Sequence, residues 1–214
     1  EGCARLLDLD AAWVVFTPDH GETMMEGERW FAHGYHVYEP IVRVPLMLRG
    51  PRAPTLRRKD VVSGIDLVPT LLPLAGVAEG EIRARRLPGI DLLDPDAADP
   101  ERAVFAEGSY VAWQIRAAIT QDRKWMALVD RGKRTVRARR FYDLSLDTRE
   151  LYARDWPVPY EPPATALLER IELDPDPGGI PDSLREGMRI DAPKVAPNLT
   201  EEQKEKLRSL GYIR

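Results

Sequence analysis

The sequence predicts an α/β fold: a mixed, mainly parallel sheet with helices over residues 1–102, then a small antiparallel sheet and a terminal helix over residues 103–214. Three observations carry this. Early in the chain, short apolar runs are separated by a long polar stretch, as in strands covered on both faces. After Ala103, strand-like runs follow one another across short polar turns, the pattern of an antiparallel sheet. The chain closes on a segment carrying both a helix-start and a helix-stop signal.

The first run, Ala11 to Thr17, is rich in β-branched and aromatic residues and is cut off by Pro18, so it reads as a buried strand. A second, Val44 to Leu48, ends at the turn signal Arg49-Gly50-Pro51. Between them Asp19 to Tyr38 is polar and too long for a hairpin turn. Ser63 to Leu72 reads as a helix start, with Asp66 as cap and Pro69 in the first turn, where its missing donor does no harm. Leu67, Val68, Leu71 and Leu72 form one apolar stripe, expected to be core, and Gly76 closes the helix. Ala78 to Pro100 reads as surface loop. Ala103–Ala106, Gln114–Ile119, Lys124–Val129 and Arg139–Leu144 are the strands of the second sheet. The proline-rich stretch Asp155 to Pro197 is expected to be extended and irregular. Thr200-Glu201-Glu202-Gln203 is a capping box, Leu207 and Leu210 share a face, and Gly211 stops the final helix.

Composition excludes several classes. With 214 residues the chain is one large domain or one and a half. Its 31 basic and 35 acidic side chains give a net charge of −4, without a sequence-wide attraction to nucleic acid or anionic lipid. No apolar run approaches the roughly 20 residues of a membrane span. Cys3 is the sole cysteine, so no internal disulfide forms. The chain opens on Glu1 without a basic n-region or apolar h-region, and it reads as starting inside a longer protein. Localisation stays open: periplasmic or secreted given an upstream signal peptide, cytoplasmic otherwise.

Asp19-His20-Gly21-Glu22 follows the first strand, where open α/β sheets place their ligands. A carboxylate oxygen beside an imidazole nitrogen suits a metal ion, and Gly21 permits close approach of backbone or substrate. The plainer alternative makes Asp19 a turn cap and His20 a half-exposed loop residue.

The surrounding motifs favour the first reading. Val15-Phe16-Thr17-Pro18-Asp19-His20-Gly21-Glu22, Phe31-Ala32-His33-Gly34, Val37-Tyr38-Glu39 and Ile41-Val42-Arg43-Val44-Pro45-Leu46 resemble the C-terminal half of the sulfatase catalytic domain, in the alkaline-phosphatase-like superfamily. Ile65-Asp66-Leu67-Val68-Pro69-Thr70-Leu71-Leu72 is similar to that family's I-D-L-x-P-T-L-L helix, and Leu87-Pro88-Gly89-Ile90-Asp91-Leu92-Leu93 to its L-P-G-x-S-L-L loop. Phe141-Tyr142-Asp143-Leu144, with Asp147 and Glu150, resembles its L-Y-D-L-x-x-D-P-x-E turn, and Leu207 to Ile213 a common sulfatase ending.

The resemblance implies a metal-dependent hydrolase of sulfuric esters. Asp19 and His20 fall on paired metal ligands, normally for calcium. His33 falls on the Lys/His that binds the sulfuryl group or protonates the departing alkoxide. Arg43 matches the I-R-V-P arginine, expected to be an ion-pair anchor. His36 has no motif match and is expected to be structural or exposed. Arg29 stands near a histidine of many members, and Pro40 suggests a later start or a kink in the helix after Glu39. The formylglycine motif C/S-x-P-x-R is absent, since Arg5 and Leu7 occupy the required offsets from Cys3, so the chain contains no nucleophile. The upstream Asp pair of the metal shell is missing with it. The isolated chain is therefore expected to be inactive, with a small-molecule or carbohydrate sulfate ester and the N-terminal half of the catalytic domain as its partners. Two alternatives stand beside this. One is phosphonate or phosphate monoester hydrolysis, or phosphoethanolamine transfer, with zinc or manganese at the same step. The other is a non-catalytic truncated paralogue or interaction module.

Overall fold

A computed structural model describes residues 11–24, 36–51, 53–109, 113–130, 133, 135–173 and 201. Glu1–Pro177 forms one compact unit, which contains every element described below, and Gly178–Arg214 a second. The expected final helix, Glu201 apart, lies outside the described residues. No helix among the described residues is long and apolar enough to cross a membrane.

The architecture is mixed α/β, as expected, with one difference. β1 (Val14–Phe16) pairs antiparallel with β2 (Met47–Arg49), setting Val15 opposite Leu48 and Phe16 opposite Met47. The sheet expected to be mainly parallel is thus an antiparallel pair among the described residues. A parallel return needs a packed crossover, usually a helix of several turns. The described part of this connection holds only α1 (Glu39–Val42), a single turn. Pro40 falls in that first turn, where it has no hydrogen bond to lose, so the helix begins at Glu39 and neither of the effects expected of Pro40 occurs.

Ser63 opens a 3-10 turn (Gly64–Asp66) that runs into α2 (Leu67–Leu74). Asp66 closes the capping box by accepting the Ser63 N–H at 2.8 Å, and its carboxylate does more than cap. It is fully buried, accepts the Ile90 N–H at 3.0 Å, and takes two bonds from the Arg102 guanidinium at 2.8 and 2.7 Å. Burial alone would push this carboxyl up. The Arg102 fork and the two N–H donors outweigh that and hold it below the ordinary aspartate value. One helical turn on, Thr70 donates to the Asp66 carbonyl at 2.6 Å and accepts the Leu92 N–H at 2.8 Å. Gly89, at φ +98°, lets the loop pass this cluster, since a Cβ there would lie 2.9 Å from Asp66 Oδ1. The expected core stripe of α2 is only partly buried, with Val68 half exposed, because the inward face is the one that docks Thr70 on the 90–92 loop. The stretch expected to be loop also contains α3 (Glu79–Ala84), a short exposed helix.

The four predicted strands form an antiparallel meander in sequence order: β3 (Val104–Ser109), β4 (Trp113–Ile119), β5 (Arg123–Asp130) and β6 (Thr135–Asp143). Alternation gives it two apolar faces. Ala118, Trp125, Ala127, Val129 and Phe141 pack against Trp156 and α4 (Pro162–Leu173) through Ala164, Leu167 and Ile171. Ala117, Ile119, Met126 and Tyr142 pack on the other side against Val37 and Leu144. Trp156 is locked in place by donating its indole N–H to the Met126 and Arg140 carbonyls, at 3.2 and 2.9 Å. α4 lies inside the stretch expected to be irregular. Its prolines, Pro162 and Pro163, open the helix, where proline is favoured, and Ala164, Leu167 and Ile171 form the i, i+3, i+7 stripe that buries it.

Candidate functional site

The chain leaves β1 through Thr17 and Pro18 into Asp19-His20-Gly21. The Asp19 side chain is 88% exposed, and its Oδ1 accepts the His20 N–H at 3.0 Å. Its other oxygen, Oδ2, lies 3.7 Å from His20 Nε2. Two donors each 2.3–2.6 Å from one calcium ion, at roughly a right angle, stand about that far apart. On the other side of the ring, His20 Nδ1 lies 2.7 Å from the Gly21 carbonyl oxygen. A carbonyl can only accept, so Nδ1 carries a proton, and Nε2 is the ring nitrogen turned toward Asp19, the arrangement in which a histidine ligates a metal through Nε2. These two residues therefore fit two positions of a divalent cation's shell. No group of three or more metal-ligating side chains occurs among the described residues.

Gly21 has a steric reason of its own. Its N–H donates to the Ile41 carbonyl at 2.8 Å, and a Cβ would sit 1.9 Å from the Pro40 carbonyl oxygen. The loop thus rests directly on the backbone of α1.

α1 in turn is tied to the second sheet. Lys124, on β5, is fully buried and turned to the same face as Met126. Its ammonium donates to the Val37 carbonyl at 3.0 Å and pairs with Glu39 at 2.7 Å and Glu150 at 2.9 Å. Glu150 also accepts the Glu39 N–H at 2.6 Å. Glu39 makes a longer contact of 3.8 Å to exposed Arg43, the arginine expected to anchor an ion pair. Two carboxylates share one buried ammonium, and burial, with Glu39 adding repulsion, pushes Glu150 above its ordinary value despite Lys124. A carboxyl raised on folding contributes stability that is fully present below the unfolded value and lost as pH rises through the folded one. Glu150→Gln, neutral at every pH, removes that loss. Urea unfolding at pH 4 to 7 should therefore show wild type falling relative to the variant as pH rises above the ordinary glutamate value of 4.5.

Of the sequence-predicted residues, Asp19 and His20 come together. His33, Arg29 and Cys3 lie outside the described residues. His36 is buried at 2% exposure with its ring 5.4 Å from that of Tyr38, a structural position. Lys124 and Arg102 were not singled out by sequence reasoning. For Lys124 the signal was a lone charge at the start of an apolar strand; for Arg102 there was none.

The sulfatase family model matches residues 5–77, the segment holding Asp19, His20, α1 and α2. The chain is 38% identical over 95 residues to the uncharacterized sulfatase YidJ of Escherichia coli, a match covering 44% of this chain and 18% of that protein. Over residues 5–77 the chain is similar to the sulfatase family. It is also 43% identical over 70 residues to arylsulfatase K of Xenopus laevis, covering 32% of this chain and 13% of that one. In fold, it is similar to the yidJ structure from Bacteroides fragilis, assigned as a sulfatase, with a TM-score of 0.55 at 22% identity, over 67% of this chain and 31% of the other. The chain thus spans less than a fifth of the length of these two curated relatives.

Proposed function

We propose that these residues form part of the catalytic centre of a metal-dependent sulfatase, a hydrolase of sulfuric esters. The observation that carries this is the convergence of Asp19 Oδ2 and His20 Nε2, 3.7 Å apart, with the His20 ring oriented by the Gly21 carbonyl. Asp19 and His20 would hold a divalent cation, calcium by family resemblance, and that cation would neutralise the anionic ester oxygens. Calcium takes six to eight ligands, so two protein donors leave most of the shell to other groups. His33 would bind the sulfuryl group and give its proton to the departing alkoxide. The 214 residues contain no C/S-x-P-x-R, so the nucleophile would come from outside them. Support for such a partner segment comes from Phe16 and Met47, paired across β1 and β2 and exposed by 57% and 56%, an apolar face for further parts of the domain to cover.

Paramagnetic broadening by manganese tests the metal step. Amide signals of residues 19–22 should broaden in the wild-type chain, recover with excess calcium, and stay sharp in Asp19→Asn and His20→Ala. Equal broadening in the variants, or none in wild type, would sink the assignment. Competition by zinc but not calcium would move the chemistry to phosphate esters. The chain alone is expected to leave an aryl sulfate unhydrolysed, and metal-dependent turnover would refute an external nucleophile.

A further inference from the structure

We propose that Lys124, though it touches neither metal nor substrate, is a positioning residue that holds the Asp19-His20-Gly21 loop in place from the second sheet. The proposal rests on the reading of that loop as the metal step and adds a remote residue to it.

The connection runs through three joints. The first is the ammonium itself. It donates to the Val37 carbonyl and lies within ion-pair distance of Glu39 and Glu150, and its side chain is fully buried, so it has no alternative partner in water. The second is α1. A single turn of helix is marginal by itself, since nucleation is unfavourable and few bonds reward it, so its position is set by what grips it from outside. Glu39 at its start is held at both ends, by Lys124 through the carboxylate and by Glu150 through the backbone N–H at 2.6 Å. The flanking Val37 and Ile41 are buried at 1% and 6% exposure. The third joint is the Gly21 N–H bond to Ile41 at 2.8 Å, with the glycine pressed against the Pro40 carbonyl. A shift of α1 must therefore move Gly21, and Gly21 carries the carbonyl that fixes the His20 ring.

Strand alternation explains why a lysine on the second sheet does this. Trp125, Ala127 and Val129 face α4, which leaves Lys124 and Met126 on the side of Val37. Residues from two of the motif matches, Tyr38-Glu39 and the turn ending at Glu150, are thus joined by a residue in neither.

The experiment is hydrogen exchange at the Gly21 amide of the full 214-residue chain, in wild type, Lys124→Met, Glu150→Gln and Leu167→Ala. Leu167 buttresses the opposite face of the same sheet and touches none of the three joints. Loss of a charged hydrogen bond predicts exchange at Gly21 faster by about tenfold or more in Lys124→Met, and by a smaller factor in Glu150→Gln. Leu167→Ala should instead quicken the amides of β4 and β5 while leaving Gly21 no faster than global unfolding allows. Lys124→Arg, which keeps the charge, should restore part of the protection. If Lys124→Met does not fold, Glu150→Gln decides. Gly21 protection unchanged in the folded variants, or lost equally in Leu167→Ala, overturns the proposal. The manganese test separates the two ideas, because absent broadening in wild type with slow Gly21 exchange that depends on Lys124 would remove the metal reading and leave the mechanical link standing.

Discussion

Asp66→Ala should lower the free energy of unfolding by about 3–5 kcal/mol, the range for removing one partner of a buried ion pair. The Arg102 guanidinium is only 13% exposed and would lose both of its bonds to a carboxylate. The Ser63 and Ile90 N–H groups would lose their acceptor as well. Pairing alone is not the source of the penalty, because much of it comes from the charge left behind. Arg102→Met in the Asp66→Ala background should therefore recover part of the loss, and chemical denaturation of the two single variants and the double variant measures it. A single-variant change below about 1 kcal/mol would place Asp66 in a wet, compliant site instead of a buried one. Acid should act in the same direction. A folded-state value held below 3.8 means stability present above that value and lost as pH falls through the folded one, a slope that Asp66→Ala should abolish.

Gly21→Ala is expected to be the most damaging single-atom addition near the candidate site. The new Cβ would stand 1.9 Å from a backbone carbonyl oxygen, which no side-chain rotation relieves. Overpacking of this kind costs about 1–3 kcal/mol and occasionally more, and here the strain falls on the bond from Gly21 to Ile41. Thermal unfolding should show the loss, and manganese broadening at Asp19 and His20 should weaken beyond what the stability change explains. A variant as stable as wild type with intact broadening would show that α1 yields easily.

Much of this was written locally. The four-stranded meander followed from apolar runs and short turns, and the loop after β1 stood out because a carboxylate, an imidazole and a glycine are adjacent at a strand's end. Position within an element was harder to read. A high density of proline in Asp155 to Pro197 suggested irregular chain, whereas Pro162 and Pro163 sit where a helix begins. The stripe on α2 had helical spacing, but spacing alone does not say which face turns inward, and Thr70 with its two hydrogen bonds decided it. What stayed hidden is long-range pairing. Arg102 lies 36 residues from Asp66, and Lys124 lies 87 from Val37, separations at which no periodicity links one residue to the other.

The clasp around Asp66 and the Lys124 cluster both join residues before Ala84 to residues after Gly89, while the exposed Arg85 and Arg86 lie between. A tryptic nick after either arginine would sever the polypeptide without parting it. The two pieces would remain a complex, held by the two buried charge clusters and by Val37 packed on the sheet face, all of which span the cut, so the covalent chain at that point is dispensable to the assembly it threads.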